Sequence, residues 1–358
     1  MDVSPVPGAG LVREEDAFDV RAVTDWLREQ DVDPGLRAEL DVEPEVRQFS
    51  TGASNLTYLL RYPRRDLVLR RPPSGRKARG AHDMAREFTI QSRLQPVFPY
   101  VPRMVALCGD EDVLGSDFYV MERIDGTILG RDLPAGTDLS EGQVRRLCTG
   151  VLDRLVELHS VDAEKAGLGD LGKGRGYVER QVAGWSERFR RARTDDVGDF
   201  EEVMAWLDAH RPEDVGSCVI HNDFRFDNVV LDENLEVRGV LDWEMATVGD
   251  PLMDLGGALA YWVQADDDPS FQQFRRQPTH LPGMLTRAEV VEYYAMRTGL
   301  SVSPEDWVFY EVFGLFRLAV IAQQIYYRYH HGQTTNEAFA IFGPAVGYLE
   351  QRCQGRIR

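Results

Sequence analysis

The chain has 358 residues, and its 59 acidic residues outnumber its 41 Lys and Arg residues to give a formal net charge of -18. A protein that binds nucleic acid through its general charge needs a basic surface, so this composition excludes that class of function. Apolar residues make up 43% of the chain and charged residues 28%, as in soluble globular proteins, and the length predicts two domains or lobes.

The four cysteines, Cys108, Cys148, Cys218 and Cys353, form no C-x-x-C pair and show no zinc-ligand spacing. We therefore expect buried thiols in a reducing compartment. The first residues lack the pattern of a signal peptide, and no apolar stretch approaches the roughly 20 residues that cross a bilayer. The sequence predicts a cytoplasmic protein without a membrane partner.

In chain order, the first third predicts a small sheet with helices. Apolar residues at helical spacing indicate a helix between Ala17 and Gln30. The run VRQFSTGASNLTYLLRY predicts a hairpin, and DLVLRR predicts a third strand. HDMAREFTIQSRL is typical of an amphipathic helix, and MVALCGDEDVLGSDFYVMERI of a strand pair.

From about Leu139 onward, helical patterns dominate, and the stretch SCVIHNDFRFDNVVLDENLEVRGVLDWE interrupts them with a strand–loop–strand pattern. The order of elements predicts an α+β fold with two lobes. We expect a small N-terminal antiparallel-sheet lobe over residues 1–122 and a larger, mainly helical C-terminal lobe over residues 123–358.

The segment from His221 to Asn228 reads HNDFRFDN, and Leu241 to Glu244 reads LDWE. This spacing suits phosphoryl transfer, in which Asp223 takes or orients the proton of an attacking hydroxyl. Asn228 and Asp242 offer the oxygen ligands that Mg²⁺ prefers. A polar hairpin with chance acids is the alternative, but the apolar runs on both sides supply the strand–loop–strand frame that the chemistry needs.

HNDFRFDN with LDWEMATVGDP resembles the aminoglycoside phosphotransferase and choline kinase group, which shares the protein-kinase-like fold. The similarity extends over nearly the whole chain. QFSTGASNLTYLLR resembles the nucleotide-covering loop of that group, REFTIQSRL its N-lobe helix, FYVMERIDG its hinge, and GDPLMDLG the segment after its metal site. The most similar branch occurs alone in bacteria or fused to acyl-CoA dehydrogenase domains. The resemblance implies a bilobal kinase fold, ATP and Mg²⁺ as cofactors, and a small-molecule acceptor.

The resemblance also implies roles for individual residues of the motif. Asp223 becomes the catalytic base, and Asn228 and Asp242 become magnesium ligands, with Glu244 as a direct or indirect metal contact. Arg225 falls where many protein kinases place a lysine that steadies the transferring phosphate. An ordinary surface arginine is the alternative interpretation of Arg225.

For the N-terminal lobe, the resemblance implies a set of nucleotide-binding residues. The covering loop would donate backbone N–H groups to the phosphates, an acidic residue on the helix would pair with the strand cation, and the hinge backbone would bind adenine. The residues are Ser50, Gly52, Ser54 and Asn55 in the loop, Arg70 on the strand, Glu87 on the helix, and Glu122 and Ile124 at the hinge.

Arg70 departs from the family pattern, which has a lysine on this strand. A guanidinium keeps the charge but is longer and planar, so the exchange is not neutral. Either Arg70 does the work of the lysine, or the protein is a weakened kinase or pseudokinase. The presence of the base and both metal ligands favours the first reading. Arg71 should point to the opposite face of the strand, towards solvent.

Several other polar residues predict structural roles rather than chemical ones. His159 should end a helix and pack locally, and His221 should support the catalytic loop. Asp250 and Asp254 in GDPLMDL should cap or anchor the helix that follows.

The acceptor stays open between two classes. Residues 126–358 contain 37 acidic and 24 basic residues, which would suit an aminoglycoside- or choline-like cation. Ten basic and three acidic residues lie between Arg61 and Arg93, and among them Arg76, Lys77 and Arg79 would suit a hydroxyacid or hydroxyacyl-CoA. The branch resemblance favours the second class. A nucleotide-binding pseudokinase or scaffold that recruits an acyl-CoA dehydrogenase-type partner is the third alternative.

Overall fold

The computed structural model describes residues 6–50, 55–73, 82–134 and 136–358. The chain divides into two compact units, the first comprising Met1–Gly126 with Arg238–Glu244 and the second Thr127–Val237 with Met245–Arg358. The predicted boundary after residue 122 lies close to the first crossing between the units. The sequence prediction did not include the later segment Arg238–Glu244 in the first unit.

The first unit contains six strands and four helices. The strands are β1 (Ala9–Gly10), β2 (Glu45–Phe49), β3 (Leu56–Arg61), β4 (Asp66–Arg71), β5 (Met104–Cys108) and β6 (Phe118–Glu122), and the helices are α1 (Val20–Glu29), α2 (Pro34–Arg37), α3 (Met84–Leu94) and α4 (Glu111–Leu114). The strands form an antiparallel sheet in the order β1-β2-β3-β4-β6-β5. The predicted hairpin corresponds to β2 and β3, and the predicted strand DLVLRR is β4.

Helix α3 begins where Asp83 accepts a hydrogen bond from the backbone N–H of Arg86, which satisfies one of the free donors of the first turn. Its apolar face buries Met84, Ile90 and Leu94. Glu87 lies on the same buried side as these residues, so the helical period carries a carboxylate into the interior of the unit.

Arg71 lies on the opposite face of β4 from Arg70, as the alternation of a strand requires. The expectation that Arg71 is solvated is wrong, because only 8% of its surface is exposed. Its Nη2 donates to the backbone oxygen of Asp16 at 2.8 Å and to the hydroxyl of Tyr58 at 3.1 Å. The chain before α1 covers this face of the sheet and replaces solvent around the guanidinium.

The second unit is mainly helical, and the predicted long helices after Leu139 are present in it. The helices are α5 (Glu141–His159), α6 (Tyr177–Ala192), α7 (Glu201–Ala209), α8 (Pro251–Leu259), α9 (Pro269–Gln272), α10 (Arg287–Thr298), α11 (Pro304–His330) and α12 (Phe342–Ile357). The short strands are β7 (Thr127–Ile128), β8 (Cys218–Ile220), β9 (Val229–Leu231) and β11 (Thr247–Gly249), and β10 (Val237–Val240) begins at the end of this unit's first segment. Strands β8 and β11 pair with each other, as do β7 and β9.

Helix α11 is the central helix of this unit and buries residues on most of its faces, including Phe313, Phe316 and Val320. By length and composition alone it could cross a membrane, so the expectation that no apolar stretch is long enough is wrong. However, 67% of the 18-residue apolar stretch of this helix is buried inside the structure. Packing within the fold accounts for its composition. All four cysteines are buried free thiols, as predicted.

Helices α8 and α11 approach each other closely where both carry glycine. A Cβ atom on Gly314 would overlap the backbone carbonyl oxygen of Gly256, and one on Gly256 would lie 2.6 Å from the backbone oxygen of Tyr310. Since backbone atoms cannot move aside cheaply, these glycines set the distance between the two helices.

We predict that Gly314→Ala lowers the free energy of unfolding by about 1–3 kcal/mol, the usual cost of overpacking a filled interior. Gly347→Ala in α12 is the matched control, because its Cβ would meet no atom within 4 Å. There, alanine should raise stability by about 0.5–1 kcal/mol through its better helix propensity. Urea denaturation of both variants checks the prediction, and equal effects would contradict it.

Candidate functional site

The side chain of Arg70 lies among three carboxylates of the first unit. Its Nη1 is 3.4 Å from Glu87 Oε2, and its Nη2 is 3.2 Å from Asp242 Oδ1 and 4.0 Å from Glu244 Oε2. Burial alone would lower the pKa of Arg70, but the negative charges of its neighbours outweigh burial and raise that pKa above its ordinary value. The guanidinium is therefore a permanent cation that joins β4, α3 and the segment Arg238–Glu244.

Glu87 has hydrogen-bond partners on both carboxylate oxygens. The Tyr119 hydroxyl donates to Oε2 at 2.8 Å, and Asn55 Nδ2 donates to Oε1 at 3.0 Å. Burial raises the pKa of Glu87, and the charge of Asp242 adds to that rise, although Arg70, Tyr119 and Asn55 favour the ionised form. The predicted pairing of Glu87 with the cation of the third strand agrees with this geometry.

Asp242 has a left-handed backbone conformation, with a φ of 69°. Such conformations are uncommon outside glycine and cluster at functional sites. Two residues later, Glu244 Oε2 accepts from Asn55 Nδ2 at 3.3 Å, and its backbone oxygen accepts from Arg86 at 3.1 Å. The structure thus collects Asn55, Arg70 and Glu87 with the two acidic residues of the LDWE motif.

The predicted nucleotide-covering loop is described only at its ends, because Gly52 and Ser54 lie outside the described residues, as do Arg76, Lys77 and Arg79. Ser50 donates its backbone N–H to the oxygen of Gly8 at 3.0 Å. The side chain of Asn55 is fully engaged within the protein, since its Oδ1 also lies 2.7 Å from His82 Nδ1. Its contacts position Glu87 and Glu244.

The predicted hinge follows β6. The backbone N–H of Glu122 donates to the oxygen of Arg103 at 2.8 Å, and its carboxylate lies 3.4 Å from Arg65 Nη1. Ile124 forms no backbone hydrogen bond to any residue in the part of the chain that the structure describes. Of the two predicted hinge residues, Ile124 is therefore the one whose backbone groups can bind a ligand without breaking an existing bond.

In the second unit, the structure brings Asp223, Arg225 and Asn228 together. Asn228 Nδ2 donates to the Asp223 carboxylate at 3.0 Å and to the Asp223 backbone oxygen at 2.8 Å. This orientation leaves the amide oxygen of Asn228 without a hydrogen-bond donor among the described residues. The spacing of the HNDFRFDN motif thus places a fixed carboxylate beside an amide oxygen that receives no hydrogen bond from the described residues.

Arg225 lies between two carboxylates. Its Nε is 3.2 Å from Asp223 Oδ1 and 3.3 Å from Asp227 Oδ1, and its guanidinium lies 4.7 Å from the centre of the Tyr261 ring. Burial raises the pKa of Asp227, and the charge of Asp223 adds to the rise despite the opposing effect of Arg225. With 17% of its side chain exposed, Arg225 is a half-buried counter-charge of the loop rather than an ordinary surface arginine.

Asp254 of α8, which is 1% exposed, anchors the loop from His221 to Asn228. Its carboxylate accepts the backbone N–H groups of His221 and Asn222, both at 2.7 Å, and lies 3.1 Å from His159 Nε2. Burial alone would raise the pKa of Asp254, but His159 and His221 lower it below its ordinary value. His159 ends α5, and its Nδ1 lies 2.6 Å from the Tyr294 hydroxyl.

Asp250 and Asp254 therefore differ in role. Asp250 caps α8 by accepting the N–H groups of Leu252 and Met253, as predicted. Asp254 lies within the helix and instead holds the backbone of the loop at His221 and Asn222, a role that the sequence pattern did not separate from capping. The only signal in the sequence is its position one helical turn after the GDP tripeptide.

The phosphotransferase enzyme family matches residues 45–290 of this chain. The chain is 28% identical to a candidate aminoglycoside phosphotransferase from Ralstonia eutropha, with a TM-score of 0.78 over 95% of this chain and 98% of that one. It shares its fold with choline kinase from Cryptosporidium parvum, at 12% identity and a TM-score of 0.61 over 95% of this chain and 96% of the kinase. The chain belongs to the phosphotransferase enzyme family, and the predicted family and bilobal kinase-like fold are confirmed.

Two curated relatives are longer than this chain. Acyl-CoA dehydrogenase family member 10 of Mus musculus is 34% identical over 92% of this chain, which corresponds to 30% of the mouse protein. Acyl-CoA dehydrogenase family member 11 of Homo sapiens is 31% identical over 88% of this chain and 40% of the human protein. The chain thus spans less than half the length of these relatives.

We predict that Asp254→Asn lowers the free energy of unfolding by about 3 kcal/mol at pH 7, because a buried, multiply bonded charge is removed. The lowered pKa means that the ionised carboxylate stabilises the fold at pH values above its ordinary pKa, and this contribution is lost as the pH falls. Denaturant unfolding is the measurement.

The control for this prediction is Asp208→Asn in the same unit, where the carboxylate is exposed and pairs with Arg211. Its stability should change by less than about 0.5 kcal/mol. If both variants lost the same stability, Asp254 would have no special anchoring role.

Proposed function

We propose that this protein transfers the γ-phosphoryl group of ATP to a hydroxyl group of a small molecule. The observation that supports this best is the catalytic loop, in which Asp223 is held by Asn228 and Arg225. Membership of the phosphotransferase enzyme family independently supports phosphoryl transfer as the class of reaction. A fixed, partly exposed carboxylate of this kind can accept a proton from an attacking hydroxyl.

In the proposed reaction, Asp223 takes the proton of the acceptor hydroxyl while the hydroxyl oxygen attacks the γ-phosphorus. A phosphorus–oxygen bond forms to the acceptor, and the bond to the leaving ADP oxygen breaks. Arg225 offsets the negative charge near Asp223 and Asp227 during this step. Its proposed further contribution is to steady the transferring phosphoryl group.

We propose Asn228 and Asp242 as the residues that hold magnesium, with Glu244 as a further contact. Their oxygens are the donor type that this ion prefers, and the free amide oxygen of Asn228 supports the fit. Magnesium, when bound, neutralises phosphate charge and orients the γ-phosphoryl group. A related enzyme, a mutant of aminoglycoside phosphotransferase APH(4)-Ia, has been solved with AMP-PNP and hygromycin B.

Arg70 is proposed to do the work that lysine does elsewhere in the family. Its Nε is buried and has no hydrogen-bond partner among the described residues, so an acceptor such as a phosphate oxygen would complete its bonding. Its Nη1 lies beside Glu87 and its Nη2 beside Asp242, so both terminal nitrogens already serve the site. Ser50, Gly52, Ser54 and the hinge at Glu122 and Ile124 are the other proposed nucleotide-binding residues.

For the acceptor, we propose a hydroxyacid or hydroxyacyl-CoA. The similarity to acyl-CoA dehydrogenase family members 10 and 11 supports this class, and also a dehydrogenase-type partner. An aminoglycoside- or choline-like cation is the second candidate, supported by the names of structural neighbours and by the acidic composition after residue 126. A pseudokinase or scaffold without turnover is the third.

The test is ADP release from ATP and magnesium with panels of hydroxyacids, hydroxyacyl-CoA thioesters, aminoglycosides and choline. The panel whose compounds stimulate ADP release identifies the acceptor class. Asp223→Asn should lower kcat by about 10²–10⁴-fold, the usual contribution of a general base. Asp208→Asn is the matched control and should retain full activity. Release that persists in Asp223→Asn would contradict the proposed base, and nucleotide binding without release would support the scaffold alternative.

For Arg70, we expect Arg70→Lys to retain part of kcat/KM for ATP and Arg70→Ala to lose most of it. The lysine keeps a cation near Glu87, whereas alanine leaves buried carboxylates without a counter-charge. Steady-state kinetics over a range of ATP concentrations is the measurement, with thermal unfolding as a check on folding. Equal kcat/KM in all three proteins would remove Arg70 from the mechanism.

A further inference from the structure

Arg317 is a buried charged residue that the proposed mechanism does not use. It lies within α11, and only 7% of its surface is exposed. Among the described residues, no carboxylate forms an ion pair with its guanidinium, and a backbone oxygen is its hydrogen-bond partner. Buried arginines are normally paired with an acid, so a residue kept without one calls for a specific explanation.

The hydrogen-bond partner of Arg317 is the catalytic loop itself. Its Nη2 donates to the backbone oxygen of Asn222 at 2.5 Å. Asn222 immediately precedes Asp223 and has a left-handed backbone, with a φ of 64°. A left-handed residue other than glycine persists only where its surroundings hold it, because the conformation is sparsely populated.

Asn222 is held at each of its polar groups by a different part of the second unit. Its N–H donates to Asp254 at 2.7 Å, and its side-chain oxygen accepts from the Tyr177 hydroxyl at 3.2 Å. Its side-chain nitrogen donates to the backbone oxygen of Met245 at 3.1 Å. Arg317 donates the remaining hydrogen bond, to the carbonyl oxygen of the peptide that joins Asn222 to Asp223.

The fold provides space for this guanidinium. A Cβ atom on Gly257 of α8 would lie 2.7 Å from Arg317 Nη1, so glycine makes room for the charged group. On its other side, the guanidinium lies 5.3 Å from the centre of the Trp185 ring of α6. A ring face stabilises a cation without competing for its hydrogen bonds to the loop.

We propose that Arg317 is a positioning residue of the phosphotransferase site. Its guanidinium fixes the left-handed peptide of Asn222 and thereby the direction in which Asp223 presents its carboxylate. This inference rests on the proposed role of Asp223 as the catalytic base. It adds a residue on α11, remote in sequence from the catalytic motif, to the set that determines the rate.

The test compares three variants of the full chain. Arg317→Met removes the charge and the donor but keeps an unbranched side chain, and Arg317→Lys restores a cationic donor. Arg188→Met is the matched control, because Arg188 lies 4.5 Å from the same Trp185 ring but makes no hydrogen bond to the loop among the described residues.

Two measurements are made on each variant: steady-state kinetics of acceptor-dependent ADP release, and hydrogen exchange of the backbone amides in residues 218–228 with α12 as reference. For Arg317→Met we expect kcat to fall at least about tenfold, as for the loss of a hydrogen bond from a charged donor. KM for ATP should change less than about twofold, since no ATP contact is altered. Exchange at Asn222 and Asp223 should rise, with α12 unchanged.

Arg317→Lys should recover part of both effects, and Arg188→Met should match the original protein. Unchanged kcat and unchanged loop exchange in Arg317→Met would overturn the proposal. So would a rise in exchange that is equal in α12 and in the loop, because that result indicates a general loss of stability. If the original protein proves to have no turnover, the proposed function fails, and loop exchange alone decides whether Arg317 positions the peptide.

Discussion

The buried carboxylate of Asp254 is the constraint on which the loop from His221 to Asn228 depends. Two consecutive backbone N–H groups, those of His221 and Asn222, donate to it at 2.7 Å. Displacement of the loop would leave this charge buried without its donors, which is far more costly than an ordinary hydrogen-bond loss. The loop backbone at His221 and Asn222 and the end of α5 at His159 are therefore arranged around one negative charge, which fixes the position of the neighbouring Asp223.

The first unit has the opposite arrangement, in which one cation organises several acids. Arg70 reaches Glu87 with one terminal nitrogen and Asp242 with the other, which the single ammonium of a lysine would do with less geometric control. The chain contains only three lysines, Lys77, Lys165 and Lys173, so arginine is the cation used at nearly every site that needs one. The departure from the family's lysine is consistent with that general usage.

Local patterns predicted the elements well, because helical and strand periods depend on neighbouring residues. The strand DLVLRR, the helix after Asp83 and the fixed spacing in HNDFRFDN are all of this kind. The alternation of side chains along a strand predicts which face of the sheet Arg71 occupies. It does not predict that the chain near Asp16 covers that face. The bond from Arg317 to Asn222 joins residues 95 positions apart, and no local pattern contains such a pairing.

The segment Arg238–Glu244 returns to the first unit after the chain has begun the second, which affects how the protein can be divided. A fragment ending at Gly126 would contain every strand of the six-stranded sheet but neither Asp242 nor Glu244. Arg70 would then lose two of its three acidic neighbours. Arg86 would lose its hydrogen bond to the backbone oxygen of Glu244. Chimeras between relatives must therefore exchange this short segment together with the sheet, because the unit is made of two separate stretches of chain.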